Sequence, residues 1–256
     1  MNLFFNSKGT EGYKSSSQVA RILTETWVVD NMFCPRCGNT QIKDFEKNRP
    51  VADFFCPKCD NEYELKSKKE KFGNKVNDGA YDTMIKRITS STNPDFLFMT
   101  YSLEIQSVTN LILIPKYFFV PDIIEKRKPL TQTSKRAGWT GCNILINEIP
   151  IQGKIPIILN SRTLDINEVV RRTNRAKSLE KNNIELRGWL MDILSCINRI
   201  PDSEFNLRDI YFFEKMLSFK YPNNNNIKAK IRQQLQFLRD KGYVEFLGRG
   251  KYRKIL

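Results

Sequence analysis

The stretch Val51 to Lys66, VADFFCPKCDNEYELK, together with the earlier Cys34-Pro35-Arg36-Cys37, decides how this chain is read. The two C-x-x-C knuckles, Cys34/Cys37 and Cys56/Cys59, are separated by 18 residues, the spacing of a four-cysteine structural zinc site. A redox dithiol needs only one such pair. Four thiolates close a tetrahedron and leave no position open to substrate, so Zn²⁺ held there stabilises structure and performs no chemistry.

The second knuckle lies between two alternating segments, Val51 to Phe55 and Glu62 to Lys66, and so predicts the turn of a β-hairpin. Side chains alternate faces along a strand, which places Glu64 and Lys66 together and turns Tyr63 and Leu65 to the opposite, apolar side. Folding about Pro57-Lys58 brings Asp53 opposite Glu64. Two carboxylates facing each other across a hairpin repel unless a cation lies between them. Oxygen ligands without nitrogen or sulfur favour Mg²⁺ or Mn²⁺. A metal there can polarise a phosphodiester and acidify bound water, while Lys66 can orient or deprotonate that water and contact phosphate.

Composition narrows the chemistry. The 256 residues carry a formal charge of +14, which points to a polyanionic partner such as nucleic acid. Histidine is absent, which removes imidazole bases, Ser-His-Asp triads and every zinc site that needs an imidazole. No apolar run approaches the roughly 20 residues that cross a bilayer. The amino terminus lacks the basic start and apolar stretch of a secretory signal, so a cytoplasmic location with reduced thiols is expected. Cys142 and Cys196 have no partner spacing and are expected to pack in the core.

Outward from the hairpin, Ser15 to Val29 predicts a helix, with Val19, Ile22, Leu23, Thr26 and Trp27 at helical spacing. A polar loop, Ser67 to Asn77, is expected next, followed by a helix at Ala80 to Thr89. Strands are expected at Asp95 to Tyr101 and Asn110 to Pro115, giving an α/β or α+β core with a mixed sheet. Short irregular or strand-like pieces are expected at Phe118 to Ile124 and Asn143 to Ile158. Between them runs the basic loop Lys135 to Cys142. A polar helix or linker, Ile166 to Arg187, contains a domain boundary near Asn182: residues 1–182 form the catalytic domain with the zinc knuckles, and 183–256 a DNA-binding domain.

The second domain reads as helices at Gly188 to Arg199, Leu207 to Phe219 and Asn226 to Lys241, then strands at Tyr243 to Leu247 and Lys251 to Ile255 joined by Gly248-Arg249-Gly250. That order matches a winged helix-turn-helix. Residues 226–256 hold nine Lys/Arg against two Asp/Glu, half the net charge of the chain. On the last helix Ile227, Ile231, Leu235 and Leu238 form the inward stripe, leaving Asn226, Lys228, Ala229, Arg232, Gln233 and Gln236 outward. Asn or Gln can bond an adenine edge, Arg a guanine, and the Ala229 methyl can touch a base methyl. Arg249, Lys251 and Arg253 in the wing are expected on phosphates.

Asp53…Glu64-Leu65-Lys66 resembles the PD-(D/E)xK nuclease motif. Nearly the whole chain is similar to the DpnI-like restriction endonucleases, through ARILTE at Ala20 to Glu25, RPVADF at Arg49 to Phe54, ELKSKK at Glu64 to Lys69, NDGAY at Asn77 to Tyr81 and GRGKYRK at Gly248 to Lys254. Ala52 stands where the general motif has proline, a position that supplies no ligand. The resemblance implies a restriction-endonuclease-like core with an inserted four-cysteine zinc site, and a Mg²⁺ site at Asp53, Glu64 and Leu65. It also implies cleavage of double-stranded DNA at GATC containing N6-methyladenine, read by both domains.

On that basis Trp139, between basic Lys135-Arg136 and the glycines of its loop, is expected to line a methyladenine pocket; the plain alternative is a core tryptophan. No obligate protein partner and a monomer are expected. Two other functions remain open: a PD-(D/E)xK nuclease with another target, and a non-enzymatic zinc-containing winged-helix regulator. A regulator has no need of carboxylates opposed across a hairpin.

Overall fold

The computed structural model describes residues 1–6, 11–13, 15–45, 52–181 and 183–255. Val51, the Arg49-Pro50 part of the RPVADF likeness, Asn182 and Leu256 lie outside the described residues. Helix α1 (Ser16–Asn31) turns Leu23, Trp27 and Val28 inward, and the Trp27 indole N–H donates to the Asn2 carbonyl at 3.0 Å. Strands β1 (Lys43–Asp44), β2 (Phe54–Phe55), β3 (Glu62–Lys69) and β4 (Lys75–Ala80) follow, then α2 (Tyr81–Ile88), β5 (Asp95–Ser102) and β6 (Ser107–Ile114). Next come β7 (Ile124–Lys126), β8 (Gly141–Leu145), β9 (Ile155–Leu159), β10 (Arg162–Thr163) and α3 (Ile166–Lys177).

The main sheet has seven strands in the order β1-β2-β3-β5-β6-β9-β10, and only β3 and β5 pair in parallel. A parallel pair needs a crossover. Here β4 and α2 supply it, and β4 leaves the main sheet to join a second one, β4-β8-β7. Strand β5 is buried on both faces, with Phe96, Leu97 and Met99 inaccessible to solvent, which is why its sequence DFLFMTYS shows an apolar run rather than alternation. Phe96 stacks on Phe119 at 4.3 Å between centroids.

Mixed α/β core and winged helix both match expectation; several local elements differ. Ser67 to Asn77 is not one loop: Ser67–Lys69 extend β3 and Lys75–Asn77 begin β4. Their side chains are mostly exposed, so the pairing with β5 and β8 leaves little hydrophobic trace in the sequence.

After α3 the chain forms α4 (Ile184–Arg199), β11 (Glu204–Asn206), α5 (Leu207–Tyr211), α6 (Glu214–Lys220), α7 (Ile227–Asp240), β12 (Val244–Gly248) and β13 (Lys251–Lys254). Helix α4 begins before Gly188 because the Asn183 side chain caps it, accepting from the Leu186 amide at 3.0 Å. The helix expected over Leu207 to Phe219 breaks at Phe212-Phe213 into α5 and α6. Strand β11, too short to leave a pattern, pairs with β13 in the small sheet β11-β13-β12.

Polar contacts join this helical part to the preceding one. The Arg187 guanidinium, 9% exposed, donates to the carbonyls of Ile88 (3.0 Å), Phe119 (3.1 Å) and Lys181 (3.1 Å). Lys220 bridges Asp122 at 2.7 Å and Asp192 at 2.6 Å. Arg175 of α3 donates to the carbonyls of Gly242 and Ile255 and covers the Tyr243 ring. None of the helices among the described residues is long and apolar enough to cross a membrane.

Candidate active site and nucleic-acid interface

The four knuckle cysteines come together. Cys34 and Cys59 sulfurs are 3.6 Å apart, as are those of Cys37 and Cys56, and all four lie within 4.8 Å of one another. Thiolates about 2.3 Å from a tetrahedral zinc sit about 3.8 Å from each other, so the donor set fits structural Zn²⁺. The two knuckles repeat one geometry: the Gly38 amide donates to the Cys34 carbonyl and the Asp60 amide to that of Cys56, both at 2.9 Å. Gly38 and Asp60 have φ of 73° and 54°, a left-handed turn that glycine and aspartate tolerate best.

From the second knuckle β2 and β3 run antiparallel, pairing Phe54 with Tyr63 and Phe55 with Glu62. The register continues outward to set Asp53 against Glu64, and the Asp53 amide donates to the Tyr63 carbonyl at 2.9 Å. The Asp53 side chain is fixed by Oδ2, which accepts from the Leu65 amide at 2.7 Å. Tyr63, fully buried, places its hydroxyl 3.0 Å from the Cys34 sulfur. Next to it, Asn61 donates to the buried Asp95 at 2.8 Å and accepts from Arg36 at 2.9 Å. The knuckles and the central strand β5 are thus linked through residues beside Glu64.

Asp53, Glu64, Leu65 and Lys66 line one cleft of about 660 Å³, walled also by Arg21, Glu25, Lys68 and Lys69. Lys66 Nζ lies 2.5 Å from Glu64 Oε1 and 2.5 Å from Asp78 Oδ1, with side-chain exposures of 16%, 22% and 9% respectively. Burial pulls the Lys66 ammonium down, but the two carboxylates overcome it and hold the proton well above the ordinary lysine range. Burial raises the Glu64 carboxyl, with Lys66 opposing and Asp78 and Asp53 adding to the rise.

Two carboxylates in or beside this cleft were given no role by sequence reasoning. Asp78 stands on β4, inside the quoted NDGAY, and Glu25 stands on α1, at the end of ARILTE. Burial raises the Glu25 carboxyl; Arg21, at 2.6 Å, opposes this, and Asp53 and Asp44 reinforce it. Neither shows itself by spacing from the hairpin. What signal there was lay in their place within the segments that carry the likeness.

Trp139 is half-buried at the end of its loop, with the Arg136 guanidinium 4.5 Å above its ring. It leans on Gly141, where a Cβ would come within 2.8 Å of the indole, so glycine is what lets the ring lie against β8. Lys135 and Arg136 are exposed. Trp139 is therefore neither a core residue nor a free one. Cys142 and Cys196 are buried, as expected of packing residues.

On α7, Ile227, Ile231, Leu235 and Leu238 are buried and Lys228, Ala229, Arg232 and Gln233 exposed, as is Asn226 immediately before the helix. Lys228 pairs with Glu214 at 3.3 Å, and Arg232 donates to the Tyr211 hydroxyl at 2.8 Å. The wing turn is tight, with positive φ at Gly248, Arg249 and Gly250. Arg249 and Lys251 point into solvent, whereas Arg253 is clamped across the sheet by Glu204 at 2.8 Å and Glu245 at 3.1 Å.

A mixed sheet presenting carboxylates and a lysine in one cleft, braced by a four-cysteine cluster and followed by a winged helix, defines a restriction-endonuclease-like protein that binds DNA. Residues 1–182 match the DpnI model of the Dam-replacing family, and residues 185–254 match the Dam-replacing HTH domain. The chain belongs to the Dam-replacing (DpnI) family, which implies a restriction endonuclease.

Proposed function

We propose that the chain is a methyl-directed type II restriction endonuclease that hydrolyses DNA phosphodiesters at GATC containing N6-methyladenine. The observation that carries the reading is the convergence of Asp53, Glu64 and Lys66 in one cleft of a family member that also carries a DNA-binding helix. Asp53, Glu64 and the carbonyl of Leu65 would hold Mg²⁺ or Mn²⁺. The donor set fits: Asp53 is fixed through Oδ2, which leaves Oδ1 for a cation. When bound, that metal supplies Lewis-acid polarisation of the phosphate and a more acidic water.

The chain's own groups do the rest. Lys66 orients the attacking water and contacts a phosphate oxygen; as the water oxygen bonds to phosphorus it gives up a proton to solvent, one P–O ester bond breaks, and the leaving oxygen takes up a proton. Arg21, Lys68 and Lys69 give the cleft a basic wall for the backbone. Asn226, Lys228, Ala229, Arg232 and Gln233 face the major groove, with Arg249 and Lys251 on phosphates and Arg253 adding charge while bracing the wing. Trp139 offers the methylated base an aromatic face, with Lys135 and Arg136 on its flanking phosphates. The chain works as a monomer in the cytoplasm.

Digesting matched plasmids from adenine-methylating and non-methylating hosts tests this reading. Cutting of the methylated plasmid alone, with Mg²⁺ and not with EDTA, is expected. Equal cutting of both plasmids points to a nuclease with another target. Binding without cutting points to a regulator.

A further inference from the structure

We propose that Asp78 is a positioning residue for the cleavage reaction, setting the place of the Lys66 ammonium. The proposal rests on the reading of Lys66 as part of the active site. In the structure Lys66 Nζ is shared evenly, 2.5 Å from Glu64 and 2.5 Å from Asp78. Glu64 alone would draw the ammonium onto the carboxylate that is to meet a divalent cation. Asp78 supplies the opposing pull, and it is the least exposed of the three.

The Asp78 carboxylate is itself anchored: Oδ1 also accepts from the Gly79 amide at 2.6 Å. Around it the β4–β8 register shifts by one residue between Asp78 and Ala80, a bulge that re-aims a side chain within a ladder. Asp78 pairs with Cys142, while Ala80 pairs with Gly141 and the Tyr81 amide donates to the Thr140 carbonyl at 3.0 Å. The strand that carries Asp78 is therefore registered on Thr140 to Cys142, the residues that follow Trp139. The Lys66–Asp78 pair is a direct side-chain tie between β3 and the second sheet. Its loss should slow the cleavage step and leave DNA affinity alone.

The test compares wild type, Asp78→Asn and Asp78→Glu by single-turnover cleavage with Mg²⁺, DNA affinity with Ca²⁺ in place of Mg²⁺, and melting temperature. Outer partners of this kind contribute about 10- to 100-fold. Asp78→Asn, which keeps the bond to Gly79 but loses the charge, is expected to cut that much more slowly at unchanged affinity and melting temperature. Asp78→Glu is expected to recover part of the rate. Cleavage by Asp78→Asn at the wild-type rate overturns the proposal while leaving the active-site reading intact. A slow Asp78→Asn whose melting temperature falls in step, with no recovery in Asp78→Glu, makes the role structural and also overturns it. Failure of the wild type to cut any DNA removes the active-site reading and this proposal together.

Discussion

The Tyr63 hydroxyl lies 3.0 Å from the sulfur of Cys34, so the zinc-type cluster touches the strand that carries Glu64 through the residue beside it. The knuckle holds the hairpin from its turn, and Tyr63 holds it again from its buried face. Both restraints act on β2 and β3, whose register sets Asp53 against Glu64.

Cys56→Ser should therefore unfold the hairpin and abolish activity together. Calorimetry should show a melting temperature lower by at least about 10 °C, with loss of bound zinc by metal analysis. Tyr63→Phe removes one hydrogen bond and should cost about 1 kcal/mol, with zinc retained.

Arg187→Met leaves the buried carbonyls of Ile88 and Phe119 without their donor. A loss of about 2–3 kcal/mol is expected, or roughly 5–10 °C in melting temperature. Thermal unfolding followed by circular dichroism checks it.

In the wing, Arg249→Ala and Lys251→Ala should each flatten the salt dependence of DNA affinity by about one counterion. Arg253→Ala should flatten it less and lower the melting temperature more, because Glu204 and Glu245 already occupy that side chain. Binding titrations at several salt concentrations separate the three.

Trp139→Ala should lower the preference for methylated over unmethylated sites about tenfold or more, the loss of one aromatic contact to a base. Cleavage rates on the two substrates measure it. An unchanged ratio would leave Trp139 no part in reading the mark.

Much of the site was legible because its parts are close in sequence. The cysteine spacing and the alternation on either side of Pro57-Lys58 place Asp53 against Glu64 with no knowledge of the rest of the chain. Asp78 was not legible, because its position depends on the pairing of β4 with β8, far along the chain and through side chains that are mostly exposed. Glu25 was hidden for a similar reason, since a helix face shows its partner only when the sheet beneath it is known. In the winged helix, the apolar stripe of α7 was read from its period. The break between α5 and α6 was not, because Phe212 and Phe219 continue an apolar pattern while standing 85% and 90% exposed.

In the proposed reading one cleft, built on Asp53, Glu64 and Lys66, cuts DNA only where adenine is methylated. The most direct measurement is single-turnover cleavage of one duplex with a single GATC site, methylated or not, by wild type and Asp53→Ala, with DNA affinity followed in parallel. Wild type is expected to cut the methylated duplex alone. Asp53→Ala is expected to bind that duplex as tightly and to cut it at least about 10²-fold more slowly, the lower end of what a positioned catalytic group contributes. Cleavage by Asp53→Ala at the wild-type rate, or equal cleavage of both duplexes by wild type, would contradict it.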